Sequence, residues 1–204
     1  MNKTACILWG VLFLVACGGD DGGNDTSDEP GDAWAASDST QRGDSIVAPP
    51  ATLTDDATGL MWQTRPQEDW VLWQEAMDHC EALQLEGYED WRLPTIEELR
   101  TLVAGCPDTM AGGACQVVGG CGDACYSPAC DGCEHAKGPG PKGCYMDAIW
   151  GDSCAYHWSS STYVGGSVFS PTTLAWHIQF NLAWVWSGNV NDNHMVARCV
   201  RTIP

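Results

Sequence analysis

The sequence has 204 residues and a formal net charge of −18, with nine Lys and Arg residues against 27 Asp and Glu residues. A chain of this length can bury one sizeable core and still carry a tail. Its charge argues against a nucleic-acid ligand, because phosphates would be repelled, and against a polybasic helix on a membrane surface. The 12 Cys and 11 Trp residues are unusually many for this length.

Residues 1–16 predict a secretion signal. A weakly basic start leads into an apolar run to Ala16 that is too short to span a bilayer comfortably. The run ends in Leu-Val-Ala-Cys, which resembles a bacterial lipobox, so Cys17 is expected to become the lipidated first residue of the mature protein. The alternative is a buried Cys in an ordinary signal peptide. Gly18 follows instead of Asp, which favours the outer membrane or cell surface over inner-membrane retention.

Residues 17–51 predict the lipidated Cys and a flexible acidic tether. Gly, Asp, Ser and Pro dominate this segment and aliphatic residues are almost absent. Such a segment cannot bury enough surface to offset the entropy cost of ordering. An acidic calcium-binding repeat is the alternative, but the Asp residues show no fixed period. We therefore expect disorder here, with the tether holding a domain of residues 52–204 away from the membrane.

The first half of this domain predicts a strand and two short helices. The strand is expected at Leu60-Met61-Trp62. A helix with one buried face follows, because apolar residues are spaced by three and four at Trp73, Ala76, Met77, Cys80 and Leu83. Gly87 is the candidate stop signal for this helix.

The stretch DWRLPTIEEL, residues 90–99, predicts the second helix. Thr95 and Glu98 form a capping box, and the apolar residues that follow at helical spacing form one buried face. Trp91 and Leu93 are candidate core residues. Asp90 and Arg92 are expected to form salt bridges rather than to act in catalysis.

Residues 106–154 predict a Cys-rich insertion. Its Gly- and Pro-rich sequence has few aliphatic residues, so disulfides would have to order it. Cys106 and Cys154 flank the insertion and are a candidate pair that closes its base. The connectivity of the six inner residues stays open: Cys115, Cys121, Cys125, Cys130, Cys133 and Cys144.

A metal site is the alternative for these Cys residues. The spacings of Cys121 to Cys125 and of Cys130 to Cys133 suit zinc or an iron–sulfur cluster, and His135 is nearby. Setting aside Cys6 in the signal and Cys17 leaves ten of the 12 Cys, an even number in an exported chain. This favours disulfides, so no metal is assigned.

The last third predicts strands. Aromatic and β-branched residues alternate in YHWSSSTYV, LAWHIQFNLAWVWSG and HMVARCVRTI, and SGNVNDNH between the last two predicts a hairpin turn. Calcium binding by Asn189, Asn191, Asp192 and Asn193 is the alternative use of that turn. Ser159, Ser160 and Ser161 lack a catalytic setting and are expected to form hydrogen bonds within a buried strand.

Six phrases occur in the order typical of one known family. They are TGLMWQ (58–63), DHCEAL (78–83), DWRLPTIEEL (90–99), HWSSSTY (157–163), AWHIQF (175–180) and ARCVR (197–201). From about residue 53 to 202, interrupted by the insertion, the chain resembles the DUF1566 family, also called the Lcl C-terminal domain after a bacterial collagen-like adhesin.

The resemblance implies an α+β fold. The domain is expected to be C-type-lectin-like, with two short helices and a mostly antiparallel sheet, and distantly akin to formylglycine-generating enzymes. Family members are commonly secreted or lipid-anchored, and many have no assigned activity. The resemblance also implies a disulfide between Cys80 and Cys199, which would tie the first helix to the last strand and stabilise the fold by about 4–5 kcal/mol.

The chain departs in three ways from the family that it resembles. His157 stands where the family usually has Tyr before Trp-Ser-Ser-Ser. Adhesin-type members engage acidic glycans through basic patches, whereas only seven of the nine Lys and Arg residues follow residue 50, so a heparin-like ligand is not expected. The reactive Cys pair of the enzymes is missing, because only Cys199 lies near the C-terminus. The kinship therefore implies fold and not activity, and no catalytic residue is assigned.

Trp184 and Trp186 are the candidate ligand-binding residues. They alternate along one predicted strand and so face the same side, where two indoles could stack on sugar rings. Burial in the core is the alternative and is favoured, because Trp is mostly buried in such folds.

The sequence thus supports three hypotheses for function. The first is a non-enzymatic, lipid-anchored module of the bacterial cell envelope that binds a glycan or an envelope partner. The second is a structural envelope component without a small ligand. The third, an oxidase related to formylglycine-generating enzymes, lacks the necessary motifs. No cofactor is expected, and calcium is the only ion that the turn residues suggest.

Overall fold

The computed structural model describes residues 50–151, 153–165 and 173–204. The predicted signal peptide, Cys17 and nearly all of the predicted tether lie outside these residues. Within the described part, no helix combines the length and the apolar character needed to cross a membrane.

The described domain has an α+β fold, as predicted, and its strands form two antiparallel sheets instead of the one sheet that was expected. One sheet has the strand order β1-β2-β6 and the other β3-β4-β5. The strands are β1 (Thr52–Asp55), β2 (Leu60–Gln63), β3 (Tyr156–Thr162), β4 (Leu174–Gln179), β5 (Trp184–Asn189) and β6 (Val200–Thr202). Strand β1 is not predicted from the sequence, because this four-residue edge strand has the polar sequence TLTD with little hydrophobic alternation.

Both predicted helices are present. Helix α1 spans Trp73–Ala82 and buries Ala76 and Cys80. Helix α2 spans Ile96–Thr101 and begins at the predicted capping box. The Thr95 hydroxyl accepts from the Glu98 N–H at 3.2 Å, and the Glu98 carboxylate accepts from the Thr95 N–H at 2.8 Å.

Gly87 does not end α1, so this prediction is wrong. The helix stops at Ala82, and Leu85 and Tyr88 then pair across a two-residue turn. Both turn residues have positive φ, 53° at Glu86 and 78° at Gly87. Gly87 is therefore used for a tight turn after the helix, where a left-handed conformation costs glycine little.

The predicted hairpin between the last two strands is also wrong. Strand β5 pairs with β4, whereas β6 pairs with β2 in the other sheet. The turn after β5 instead begins a crossing between the sheets, during which Met195 pairs with Val71 and Val196 pairs with His157. Alternation along each segment predicted the strands but carried no information about their partners.

The core has two clusters that share the strands between them. One cluster joins α2, the inner face of β4 and β5, and apolar residues of the insertion such as Val117 and Met146. The other joins α1 to Trp91, Leu93 and Trp158. Trp91 and Leu93 are buried, as predicted. The insertion therefore orders by joining the core of the domain, in addition to its disulfides.

Five disulfides link the ten described Cys residues. Cys80 pairs with Cys199, which ties α1 to the last strand. The insertion contains the pairs Cys106–Cys133, Cys115–Cys130, Cys121–Cys125 and Cys144–Cys154.

The proposed bond between Cys106 and Cys154 is therefore wrong. The base of the insertion is closed by backbone pairing instead, because Val103 forms a bridge with Met146 and the Ala104 N–H donates to the Tyr145 carbonyl at 2.9 Å. Cys106 and Cys154 instead form disulfides with Cys133 and Cys144 of the insertion.

Candidate functional site: an aromatic cleft

Trp184 and Trp186 lie on the outer face of β5, so the favoured prediction that they fill the core is wrong. Val185 between them is fully buried, while Trp186 is 40% exposed. Strand β5 is an edge strand with the core on one face only, and the two-residue period therefore sends both indoles to the other face. Their rings stack with centroids 5.1 Å apart and an interplanar angle of 25°.

Tyr126 of the insertion fixes the geometry of this Trp pair. Its ring meets Trp186 edge to face at 4.7 Å, and its hydroxyl accepts from Trp184 Nε1 at 3.2 Å. The same hydroxyl donates to the Asp131 carboxylate. Burial and then this carboxylate raise the pKa of Tyr126 above its ordinary value, so the phenol keeps its proton at neutral pH. Tyr126 leaves no local sequence signal for this role, because its Trp partners are 58 and 60 residues away.

The Trp pair forms one wall of a cleft of about 310 Å³, which we call the aromatic cleft. Trp70, in the loop before α1, lines it as well and is 53% exposed. The ring of Trp70 meets Tyr156 of β3 at 6.1 Å. The polar lining comes from Ser187, Asn193 and two His residues, and no Lys, Arg, Asp or Glu of the described ranges lines the cleft.

His177 of β4 lines the aromatic cleft from a buried position. It is only 3% exposed, and its ring contacts Tyr156 at 5.7 Å and Trp158 at 5.9 Å. Its Nδ1 has no hydrogen-bond partner among the described residues. Burial lowers the pKa of His177 to about 3, so the imidazole is neutral at physiological pH. The buried ring nitrogen is thus an uncharged group without a partner next to the cleft.

A second, larger cleft of about 670 Å³ is also lined by Trp70. Its lining combines the segment from Thr64 to Glu68 with Ile149 of the insertion, whose side chain is 57% exposed. The Gln67 side-chain oxygen is buried and has no partner among the described residues. We call this second site the insertion cleft.

The family model of the Lcl C-terminal domain matches residues 51–201. The chain belongs to the Lcl C-terminal domain family. Searches of curated proteins and of solved structures gave no match. The C-type-lectin-like fold and the kinship with formylglycine-generating enzymes therefore stay predictions for this Lcl C-terminal domain.

The family phrase DWRLPTIEEL has an architectural role in this Lcl C-terminal domain. Arg92 forms a two-point ion pair with Glu98, the same residue that caps α2, at 2.6 and 2.7 Å. Asp90 pairs with Arg201 of β6 at 2.7 Å. Both residues thus form salt bridges, as predicted, and their partners lie on other elements of the domain.

The Ser run of β3 forms hydrogen bonds, as predicted. The hydroxyls of Ser159 and Ser160 donate to the carbonyls of Trp176 and Pro94 at 2.6 and 3.2 Å. The Ser161 hydroxyl accepts from the Ile96 N–H at 3.0 Å. The run therefore links β3 to β4 and to the start of α2.

The Asn-rich turn after β5 uses its side chains to close itself. Asn193 Oδ1 accepts from the Asn189 N–H at 2.6 Å, and the Asn189 side-chain amide donates to Asp192 at 2.6 Å. Asn189 Oδ1 accepts from the Asn191 N–H at 2.9 Å. These hydrogen bonds agree with the interpretation as a turn and hold Asn193 beside the aromatic cleft.

The Cys residues with ligand-like spacing are all in disulfides, whose sulfur atoms are not thiolate ligands. Within the described ranges, no group of three His, Cys, Asp or Glu side chains is arranged to hold a metal ion. His135, near these Cys residues, forms a hydrogen bond with the Asn181 amide at 2.9 Å instead.

Proposed function

We propose that the chain is a non-enzymatic lipoprotein of the bacterial envelope whose Lcl C-terminal domain binds a glycan in the aromatic cleft. The observation that carries this proposal is the outward-facing, stacked pair of Trp184 and Trp186. The apolar face of a sugar ring packs well on an indole, and exposed aromatic surface of this kind marks an interaction site.

The surroundings of the pair support binding rather than chance exposure. Tyr126 holds both indoles in place before a ligand arrives, which lowers the entropy cost of association. Ser187, Asn193 and His194 place polar groups beside the aromatic rings. A cleft that combines apolar walls with a few polar groups suits a ligand with apolar faces and hydroxyl edges.

The Cys, Ser and His residues of the described domain support a non-enzymatic role. The ten Cys of the described domain are all in disulfides, so it offers no free thiol as a nucleophile. The Ser hydroxyls of β3 are taken up by structural hydrogen bonds. The two His residues with strongly lowered pKa, His157 and His177, are buried and uncharged. These observations favour recognition over chemistry.

The location in the envelope rests on the sequence. Cys17 in its lipobox and the acidic tether would hold the domain at the outer membrane or cell surface. Metabolic labelling with palmitate tests this, since C17S is expected to remove the label and release the protein from the membrane fraction. A Cys17 variant that is still labelled would contradict the lipid anchor.

A glycan array tests the binding itself. The full chain is screened in a zwitterionic, sugar-free detergent, beside W186A and a control V164A that changes an exposed side chain outside the cleft. We expect binding by the wild type and V164A and its loss in W186A. Absence of any signal above background, or equal signals for all three proteins, would overturn the proposal.

A structural envelope component is the second candidate. Trp70, Ile149 and Trp186 are all exposed, and aromatic surface also suits a protein partner. Crosslinking in cells separates the two candidates, because a single stoichiometric protein partner whose yield falls in W186A would favour the structural role.

A further inference from the structure

The two clefts meet at one side chain. Trp70 lines both the aromatic cleft and the insertion cleft, and its ring is more than half exposed. The volumes, about 310 and 670 Å³, each fall in the range of small-molecule sites. A ligand that fills the aromatic cleft and extends past Trp70 therefore enters a second site of sufficient size.

Each cleft is lined by a residue with a buried polar atom that lacks a partner among the described residues. These atoms are His177 Nδ1 at the aromatic cleft and Gln67 Oε1 at the insertion cleft. Buried polar atoms are nearly always paired in folded proteins, so such exceptions call for an explanation. Hydroxyl groups can donate and accept, and a chain of hydroxylated rings could serve both atoms after small side-chain movements.

The charges along the two clefts favour a neutral ligand. Charged side chains are absent from the described lining of the aromatic cleft, and the described lining of the insertion cleft has one of each sign, Arg65 and Glu68. Internal contacts engage four of the cations that follow residue 50, namely Arg92, Arg100, Arg198 and Arg201. With a net charge of −18, the chain would repel an acidic polymer.

We propose that the aromatic cleft and the insertion cleft form one groove for a linear, neutral oligosaccharide, with Trp70 stacking on the sugar between the two ends. This inference rests on the proposed glycan binding and adds the charge and chain length of the ligand. His177 and Gln67 are then hydrogen-bonding residues at opposite ends of the groove. The extra stacking surface beyond the first cleft makes affinity depend on chain length.

Calorimetric titration with chain-length series tests the groove. The probes are glucose-, mannose- and N-acetylglucosamine-based oligosaccharides of one to six units, with sulfated and uronic-acid polymers as acidic probes, all added to the full chain in sugar-free detergent. In the series that binds, we expect affinity to rise by roughly tenfold or more from one to four units, equivalent to about 1.4 kcal/mol. Affinity that is the same for one unit and for six would overturn the extended groove.

Three variants locate the subsites. W70A is expected to weaken binding of the single unit as well and to remove the gain with chain length, because Trp70 lines both clefts. Q67L changes only the insertion cleft and is expected to reduce the gain with chain length, and V164A should behave as the wild type. Far-ultraviolet circular dichroism and the unfolding midpoint establish that each variant is folded. A W70A protein that keeps the full gain would contradict the role of Trp70.

The outcomes separate this inference from the proposed function. Failure of every neutral probe and of acidic glycans would reject glycan binding altogether. Binding of a single unit without a gain for longer chains would keep the aromatic cleft and reject only the extended groove. Tighter binding of sulfated or uronic-acid polymers than of any neutral series would reject the neutral ligand.

Discussion

The segment Asp90–Leu99 and the outer face of β5 make an instructive pair. In the first, each charged side chain has an internal partner, including Glu97, which accepts from the Gly119 N–H at 3.0 Å. In the second, two large indoles face outward beside a buried ring nitrogen of His177, for which the described part of the chain offers no hydrogen-bond partner. The charged side chains of residues 90–99 thus hold the fold together, although this segment resembles an active-site motif. Strand β5 resembles a core strand, yet its two indoles offer surface that a ligand can contact.

The difference follows from which contacts the fold satisfies. Arg92 and Glu98 form a two-point ion pair, and the same Glu98 carboxylate caps the start of α2. A ligand would have to break those contacts before binding there. Trp186 and Trp70 have exposed ring surface already, so a ligand gains contact without such a loss.

The largest expected effect is a loss of stability at acidic pH caused by two buried His residues, His157 in the core and His177 at the cleft. Burial lowers the pKa of both to about 3, against 6.5 for an exposed imidazole. The unfolded chain therefore binds more protons in this window, and the free energy of unfolding falls as pH drops from 6.5 toward 3. Each His is expected to contribute up to about 1.4 kcal/mol per pH unit. Urea unfolding at a series of pH values measures this slope.

Two matched variants separate the contribution of each His residue to stability from its contribution to glycan binding. H157Q and H177Q should each remove about half of the slope that these two residues contribute together, because each takes away one imidazole. Only H177Q should also weaken glycan binding at pH 7. Equal binding losses in both variants would contradict the assignment of His177 to the site, and an unchanged slope would contradict the buried, neutral state of the rings.

Sequence reasoning located the elements well where local chemistry determines them. The start of α2 is written in Thr95 and Glu98, whose capping contacts involve residues three apart. The helical spacing before Cys80 likewise predicted α1 and its buried face. In both cases the deciding interaction is between near neighbours.

The errors concern choices that depend on distant parts of the chain. The alternation of Trp184 and Trp186 gave their common face, but only the position of β5 at a sheet edge decides that this face is outside. The position of Cys106 and Cys154 at the two ends of the insertion suggested that they close its base. The backbone bridge from Val103 to Met146 closes it instead, and this bridge leaves no pattern in the sequence. Tyr126, Trp70 and His177 come together at the cleft only in the folded domain.

Two disulfides differ in what they hold together: one ties α1 to the last strand, and the other lies in the insertion beside the aromatic cleft. Cys80 and Cys199 are 119 residues apart, and removing their bond in C80A/C199A should lower the free energy of unfolding by about 5 kcal/mol in the chain-entropy model. Cys121 and Cys125 are four residues apart, and C121A/C125A should cost about 2 kcal/mol. Denaturant unfolding of the oxidised proteins measures both.

Binding should rank these two variants in the opposite way. The bond between Cys121 and Cys125 lies next to Tyr126, so its loss is expected to loosen the Trp pair and weaken glycan affinity in a protein that stays folded. Under conditions where C80A/C199A is folded, its affinity should be close to that of the wild type. The reverse ranking would show that the insertion does not organise the cleft.

The smallest effects come from a matched pair of single-group removals, T95A in the capping box and Y126F in the cleft. T95A removes the oxygen that accepts from the Glu98 N–H and should cost about 1 kcal/mol of stability without changing glycan affinity. Y126F keeps the ring on Trp186 but removes the hydroxyl that accepts from Trp184 Nε1, which should cost about 1 kcal/mol or less.

The two variants are distinguished by the titration rather than by the unfolding curve. Because Trp184 loses its hydrogen bond to the insertion, we expect Y126F to weaken sugar binding by a few-fold, within roughly 1 kcal/mol. T95A leaves every side chain of the aromatic cleft unchanged. An affinity loss in T95A equal to that in Y126F would mean that the capping motif and the cleft are coupled, and the separation of architecture from recognition in this domain would fail.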